Sequence, residues 1–147
     1  MKVTTKEYGE MVKKASPNST HLKNCTIAFI VGGIICAMGE LLFAIYSTLD
    51  ISEEHARMLA SATLVLEAAI LTGLRVFEKI AKFAGAGTLV PITGFANAVV
   101  SPAIEFKNEG IVLGVGSKML TIAGPVIVYG TIASVVYGVI YWITTII

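Results

Sequence analysis

Charge is what this sequence lacks most. Only 14% of its 147 residues are Asp, Glu, Lys or Arg, against roughly 25% in an ordinary soluble domain. The stretch from Met119 to Ile147 has none, which excludes a water-facing exterior for that segment. Neither sign dominates: 11 basic residues stand against 10 acidic ones, for a formal net charge of +1. That balance excludes the basic field of a nucleic-acid binder. Chemical machinery is missing too. His21 and His55 lie far apart in polar flanks, and no metal-ligand spacing occurs. No Gly-Lys-Ser/Thr follows Gly85-Ala86-Gly87-Thr88, so this is not a phosphate-binding loop, and there is no nucleophile elbow. The sequence predicts no enzyme, no cofactor and no metal. Cys25 and Cys36 would stand roughly 16 Å apart on one helix, beyond the roughly 7 Å limit for bridged Cα atoms. They are expected as free, packed thiols.

What is there is apolar. Hydrophobic residues make up 55% of the chain, and mean hydropathy is +0.80. From Cys25 to Leu49 the only charge is Glu40. That is enough to cross a hydrocarbon layer, which takes about 20 residues. A polar loop from Asp50 to Arg57 follows, in which Ser52, Glu53 and Glu54 make a helix start. A second span runs from about Met58 to Leu74 around Glu67. Arg75, Lys79 and Lys82 form a basic interfacial segment. The third apolar stretch is Phe83–Phe106, and the last is Met119–Ile147. A polar stretch precedes the first span, so that span is expected to be retained as an anchor rather than cleaved as a signal. Within the polar stretch, Thr5 to Ala15 places Tyr8, Met11, Val12 and Ala15 on one helical face, with Lys6, Lys13 and Lys14 around it. It suits either a solvated cap or a helix lying on an anionic membrane surface. Ser16-Pro17-Asn18 ends it.

The fold class is therefore an all-α polytopic membrane protein of about four transmembrane helices, the third broken or re-entrant, after a short N-terminal amphipathic helix. The expected division is a cytoplasmic N-terminal segment, 1–24, and one transmembrane domain, 25–147. Eight basic residues flank the first span's start and the second span's end, against three in the alternate loops. With four spans, that asymmetry puts both termini in the cytoplasm.

The third stretch is greasy yet interrupted. It holds Gly85, Gly87, Gly94, Pro91, Pro102 and Asn97, and its only charge is Glu105. In lipid every backbone amide needs a partner inside the protein. Pro102 has no N–H, so in a continuous helix it leaves the Ala98 carbonyl unpaired. A half-helix starting near Thr88, with Pro91 in its first turn, avoids a second such loss. Freed carbonyls at membrane depth are tolerated only against protein or a wet cavity. The stretch is therefore expected to avoid lipid, either as a kinked structural helix or as a discontinuous helix lining a pathway. Asn97, between the breaks, favours the pathway. Gly94 and Ala98 would let another backbone approach.

Glu40 and Glu67 lie deepest in the predicted spans. Each must be protonated, paired, wet or near an interface, because a charge at the bilayer centre costs at least about 2.5 kcal/mol. The pathway-lining candidates are Glu40, Glu67, Thr88, Pro91, Gly94, Asn97, Pro102 and Lys118. Helix starts near Thr88 or Pro125 would add unpaired amides for an anion, and Lys118 would stand at a pore mouth. Small-residue pairs at Ala69/Gly73, Gly110/Gly114 and Gly130/Ser134/Gly138 predict close packing, within the chain or between copies of it.

The central residues also resemble a known family. Phe83-Ala84-Gly85-Ala86-Gly87, Val90-Pro91-Ile92-Thr93-Gly94-Phe95-Ala96-Asn97, Glu105-Phe106-Lys107 and Glu109 to Val115 look like the signature of the SpoVA membrane proteins of spore-forming bacteria. Ala28 to Ala37 fits as well, and the likeness covers roughly Leu22 to Ile147. The resemblance implies an integral protein of the forespore and spore inner membrane. It implies a complex that moves dipicolinic acid with calcium, inward in sporulation and outward at germination. Its implied partners are an E-type membrane subunit and a soluble D subunit, and one family member is described as behaving like a mechanosensitive channel. The resemblance assigns no binding residue.

Overall fold

The computed structural model describes residues 4–16 and 19–146. Pro17 and Asn18, expected to end the first helix, lie outside them. The described residues are helical, with no strand. Helix α1 spans Thr5–Ala15, as its periodicity predicts, and every residue of it is exposed. A capping box starts it. The Thr4 hydroxyl accepts from the Glu7 amide, and the Glu7 carboxylate accepts from the Thr4 amide at 2.9 Å.

Helices α2, His21–Tyr46, and α3, Glu53–Gly73, form an antiparallel pair. Ser52 caps α3. The second span therefore begins earlier than the apolar run alone suggests, inside the expected polar loop, because a capped acidic first turn suits the positive end of a helix. The pair is joined at one end by the Tyr46 hydroxyl and Thr63 Oγ1, 2.7 Å apart. Ala56, Ala60, Leu64 and Ala68 recur every fourth residue on α3, and all four are buried. A stripe of small side chains lets helices approach closely, and packing is what holds helices together in lipid. The Ala69/Gly73 pair does not serve this purpose, since a Cβ at Gly73 would meet nothing within 4 Å.

The third apolar stretch is not one helix. The chain turns at Arg75, whose φ is 59°, into α4, Phe77–Ala84. It turns again at Gly85, φ 53°, into a single turn, α5, Ala86–Leu89. Helix α6, Ile92–Glu105, then leads away. A short 3₁₀ turn, Lys107–Glu109, and a π-helical segment, Ile111–Gly116, which absorbs the Gly110/Gly114 pair, lead into α7, Ser117–Ile146. Helix α7 passes through Pro125 without a break. No helix starts there, contrary to expectation, because thirty continuous residues outweigh one missing amide.

Among the described residues, three helical stretches are long and apolar enough to cross a bilayer: His21–Tyr46, Glu53–Gly73 and Ile111–Ile146. Helix α6 is not among them. At 14 residues it spans roughly 21 Å, short of a hydrocarbon core of roughly 30 Å.

Candidate functional site

Glycine decides how the broken segment seats. A Cβ on Gly87 would lie 2.5 Å from the carbonyl oxygen of Ala28, so only glycine lets α5 press against the backbone of α2. A Cβ on Gly94 would lie 2.5 Å from the Thr88 carbonyl, so α6 folds tightly back on α5. Pro91 stands at the turn, with φ −65° and ψ 165°, as the residue before α6. The half-helix therefore starts at Ile92 rather than near Thr88. Extended backbone at Pro91 costs no hydrogen bond, because first-turn amides are unpaired anyway. Thr88 does not cap a helix. It is buried and its hydroxyl donates to the Gly85 carbonyl at 3.1 Å, closing the turn from within.

The segment is a hairpin, and its course can be followed along α3. Thr93 shares a cavity with Leu64 and Glu67. Ala96 packs with Ala68 and Phe77. The Thr72 hydroxyl lies 3.0 Å from Asn97 Oδ1, and Ser101 and Glu105 share a groove with Arg75 and Glu78. Helix α6 therefore runs parallel to the second half of α3 and finishes where α4 began. Its apex, near Pro91, lies beside the middle of α2 and α3. From Thr93 to Val100 every residue is buried or half-buried, while at the apex Leu89 and Val90 are 61% and 85% exposed.

Polar groups meet along this course. Thr72 Oγ1 contacts both the Ala68 carbonyl, at 2.7 Å, and Asn97 Oδ1. One hydroxyl hydrogen serves one acceptor, and turning the amide so that Nδ2 donates to Thr72 satisfies both contacts. The Asn97–Thr72 pair faces a groove of about 410 Å³ lined also by Arg75, Glu78, Ser101 and Glu105. Farther in, Thr93 Oγ1 is buried without a partner. Beyond Asn97, Pro102 interrupts the amide ladder of α6.

The expected site residues divide into groups. Glu67 and Thr88 line one cavity. Pro91, Gly94, Asn97 and Pro102 lie on the hairpin itself. Glu40 stands apart, exposed, in a groove with Phe43, Arg57 and Ser61. Because α2 ends at Tyr46, Glu40 is nearer one end of its helix than the apolar run implies. Arg57, which shares that groove, pairs with Glu53 at 2.8 Å and lies 4.3 Å from the Phe43 ring centre. Lys118 does not enter the Asn97 groove, and its ammonium sits over the Phe106 ring at 4.8 Å. Thr72, Arg75, Thr93 and Ser101 complete the site and were not anticipated. Thr72 had a readable signal, because it continues the every-fourth-residue stripe from Ala56 to Ala68.

The hairpin, its flanks and the spans around it match a described group of proteins. The model of the SpoVAC/SpoVAEB sporulation membrane proteins fits residues 24–140. The chain belongs to the SpoVAC/SpoVAEB family. Stage V sporulation protein AC of Bacillus subtilis (strain 168) is 46% identical over 134 residues, covering 90% of this chain and 89% of that protein. No solved structure matches it. Membership makes this a sporulation membrane protein of the SpoVA system. The matched residues include the hairpin, the turns after it and the π-helical segment.

Proposed function

We infer that this chain is a membrane subunit of the spore's dipicolinic acid channel. It carries calcium-dipicolinate inward during sporulation and outward at germination, beside an E-type membrane subunit and a soluble D subunit. The observation that carries the reading is the hairpin. A broken segment folds back on itself against α2 and α3, its residues Thr93 to Val100 buried or half-buried, with Asn97 facing a polar groove that opens where α3 ends. Family membership supplies the setting. Breaks of this kind persist in membranes where they line a pathway or lie against protein.

The hairpin also supports a topology other than the expected one. It returns to the end from which it left, so three crossings replace four and the termini fall on opposite sides. On that reading Lys107 and Lys118 join the N-terminal and Arg75–Lys82 clusters. Ten of the eleven basic residues then share one side, with Arg57 alone opposite. Such asymmetry marks the cytoplasmic face. The N-terminal segment, 1–24, is thus cytoplasmic in the forespore inner membrane, and the C-terminus lies across it.

A second reading, a tension-gated channel built from several copies, is favoured by one observation. Helix α7 is exposed along almost its whole length, including the Gly130/Ser134/Gly138 stripe, so it offers a face to neighbours. Liposomes loaded with dipicolinate separate the readings. Efflux that needs the partner subunits, and that Asn97→Leu slows, supports the first. Pressure-gated currents from the purified chain alone support the second. A complex carrying Asn97→Leu that assembles and conducts like wild type would take Asn97 out of the pathway and favour an anchoring role for this chain.

A further inference from the structure

A cavity of about 240 Å³ lies between α2, α3 and α4, bounded on its inner side by Thr88 and Thr93 of the hairpin. Its surface is almost wholly apolar, supplied chiefly by Ile34, Ile35, Met38, Leu71, Phe77 and Ile80. The one titratable residue in its lining is Glu67. Ile34, Met38 and Ile80 are 55%, 42% and 39% exposed, so the cavity opens outward. It opens at the level of the middle of α2, where the surrounding solvent is hydrocarbon. An apolar hollow does not attract water; an engineered one of roughly 150 Å³ stays dry and takes up benzene or xenon.

The short helix that closes one side of the cavity also carries charge. Phe77 and Ile80 of α4 line the cavity, while Lys79 and Lys82 lie on the same short helix. Lys82 is paired with Glu78 at 2.8 Å, and Lys79 forms no ion pair among the described residues. Helix α4 therefore carries an apolar face at the cavity and basic side chains on its other sides. A phospholipid with a net negative headgroup carries the complementary chemistry in the same order, phosphate outside and acyl chain within.

We propose that this cavity is a binding site for an anionic phospholipid, its acyl chain lying between α2, α3 and α4 and its headgroup beside Lys79. The bound chain buttresses the outer side of the hairpin apex. Through it, the state of the bilayer acts on Thr88 and Thr93 without touching the Asn97 groove. The site stands independently of what cargo the protein carries.

Native mass spectrometry of the purified chain, offered phosphatidylglycerol or phosphatidylcholine in detergent, tests this. The expected result is one retained phosphatidylglycerol per chain. Lys79→Gln reduces the preference over phosphatidylcholine by about five-fold, the weight of one lysine near an anionic surface. Ile80→Trp, which fills the mouth, abolishes retention of both lipids while helical content stays unchanged by circular dichroism. A photoreactive acyl chain marks Ile34, Met38 or Ile80. Retention unaffected by Ile80→Trp in a folded chain overturns the proposal. So does photolabelling confined to α7, or crosslinking of these positions to a second copy instead of to lipid. Should Ile80→Trp not fold, the photolabel pattern on wild type decides alone.

Discussion

Helices α6 and α7 are built from the same unpromising materials and meet opposite fates. Each is apolar, each carries a proline inside it and each holds glycine. Helix α6 is drawn into the protein, shielded from Thr93 to Val100. Helix α7 is exposed throughout apart from a few residues near its start. The difference lies in what the glycines meet. Gly87 and Gly94 lie against the backbones of Ala28 and Thr88, whereas a Cβ on Gly124, Gly130 or Gly138 would meet nothing within 4 Å. Proline and glycine in a greasy run permit either outcome. Contact with another backbone selects one, and helix length sets the other, since α7 alone is long enough to cross.

The sharpest way to break this comparison is to add one carbon to each side of it. Gly87→Ala drives a methyl into the Ala28 carbonyl, and neither backbone can yield cheaply. We expect a loss of about 3 kcal/mol, the upper part of the range for overpacking. Gly130→Ala fills open space on a helix and removes a flexible residue, so the chain's own stability rises by up to about 1 kcal/mol. Denaturant unfolding in bilayer discs reads both. Equal effects at the two positions would show that the hairpin is not seated on α2. A loss at Gly130 that grows with protein concentration would instead reveal a neighbour on α7.

Much of the hairpin was legible in advance, and the reasons are local. Pro91, Pro102 and the glycines show that the segment is broken, because their backbone chemistry is fixed by residue type. Asn97, set between the breaks, reads as lining a pathway, while its contact with Thr72 on α3 was not legible. The direction of α6 was not legible. Whether a broken segment crosses or returns depends on which backbone the glycines meet, and Gly87 does not encode Ala28. Glu40 stands nearer the end of its helix than the apolar run implies, for a related reason. Hydrophobic runs define apolar length, while helix ends are set by capping and turns, here at Tyr46 and Ser52. Pro125 failed as a helix start because a proline marks a boundary only when nothing else holds the helix together.

A gentler probe concerns what the hairpin gains from polar pairing. Thr72→Val and Asn97→Leu each remove one member of the contact between α3 and α6. Hydrogen bonds between membrane helices contribute about 0.6 kcal/mol on average and up to roughly 1.7. Each single change should cost about 1 kcal/mol, and the double change little more than either. That non-additivity, measured as a double-mutant cycle by unfolding in bilayer discs, is the signature of a direct bond. On the exposed helix, Ser134→Ala should have no measurable effect on the fold. Strict additivity at 72 and 97 would mean that these side chains bond elsewhere, and that Asn97 is kept for what passes it.

The smallest effect is expected outside the membrane, in α1, every residue of which is exposed. The Thr4 amide and then the Thr4 hydroxyl donate to the Glu7 carboxylate, and this holds its pKa below the ordinary value of 4.5. A carboxyl depressed by folding stabilises the folded form above its unfolded pKa, and that contribution is lost as pH falls through the lower folded value. The helix should therefore be fully capped at neutral pH and fray as pH drops below about 4. Thr4→Ala should remove both the cap and this pH dependence. Amide exchange at Glu7 and Tyr8, followed by NMR in bilayer discs, resolves the change residue by residue. If α1 lies on an anionic surface instead of in water, its Tyr8–Met11–Val12 face will hold it helical through the same titration. The acid fraying will then appear only in discs made of neutral lipid.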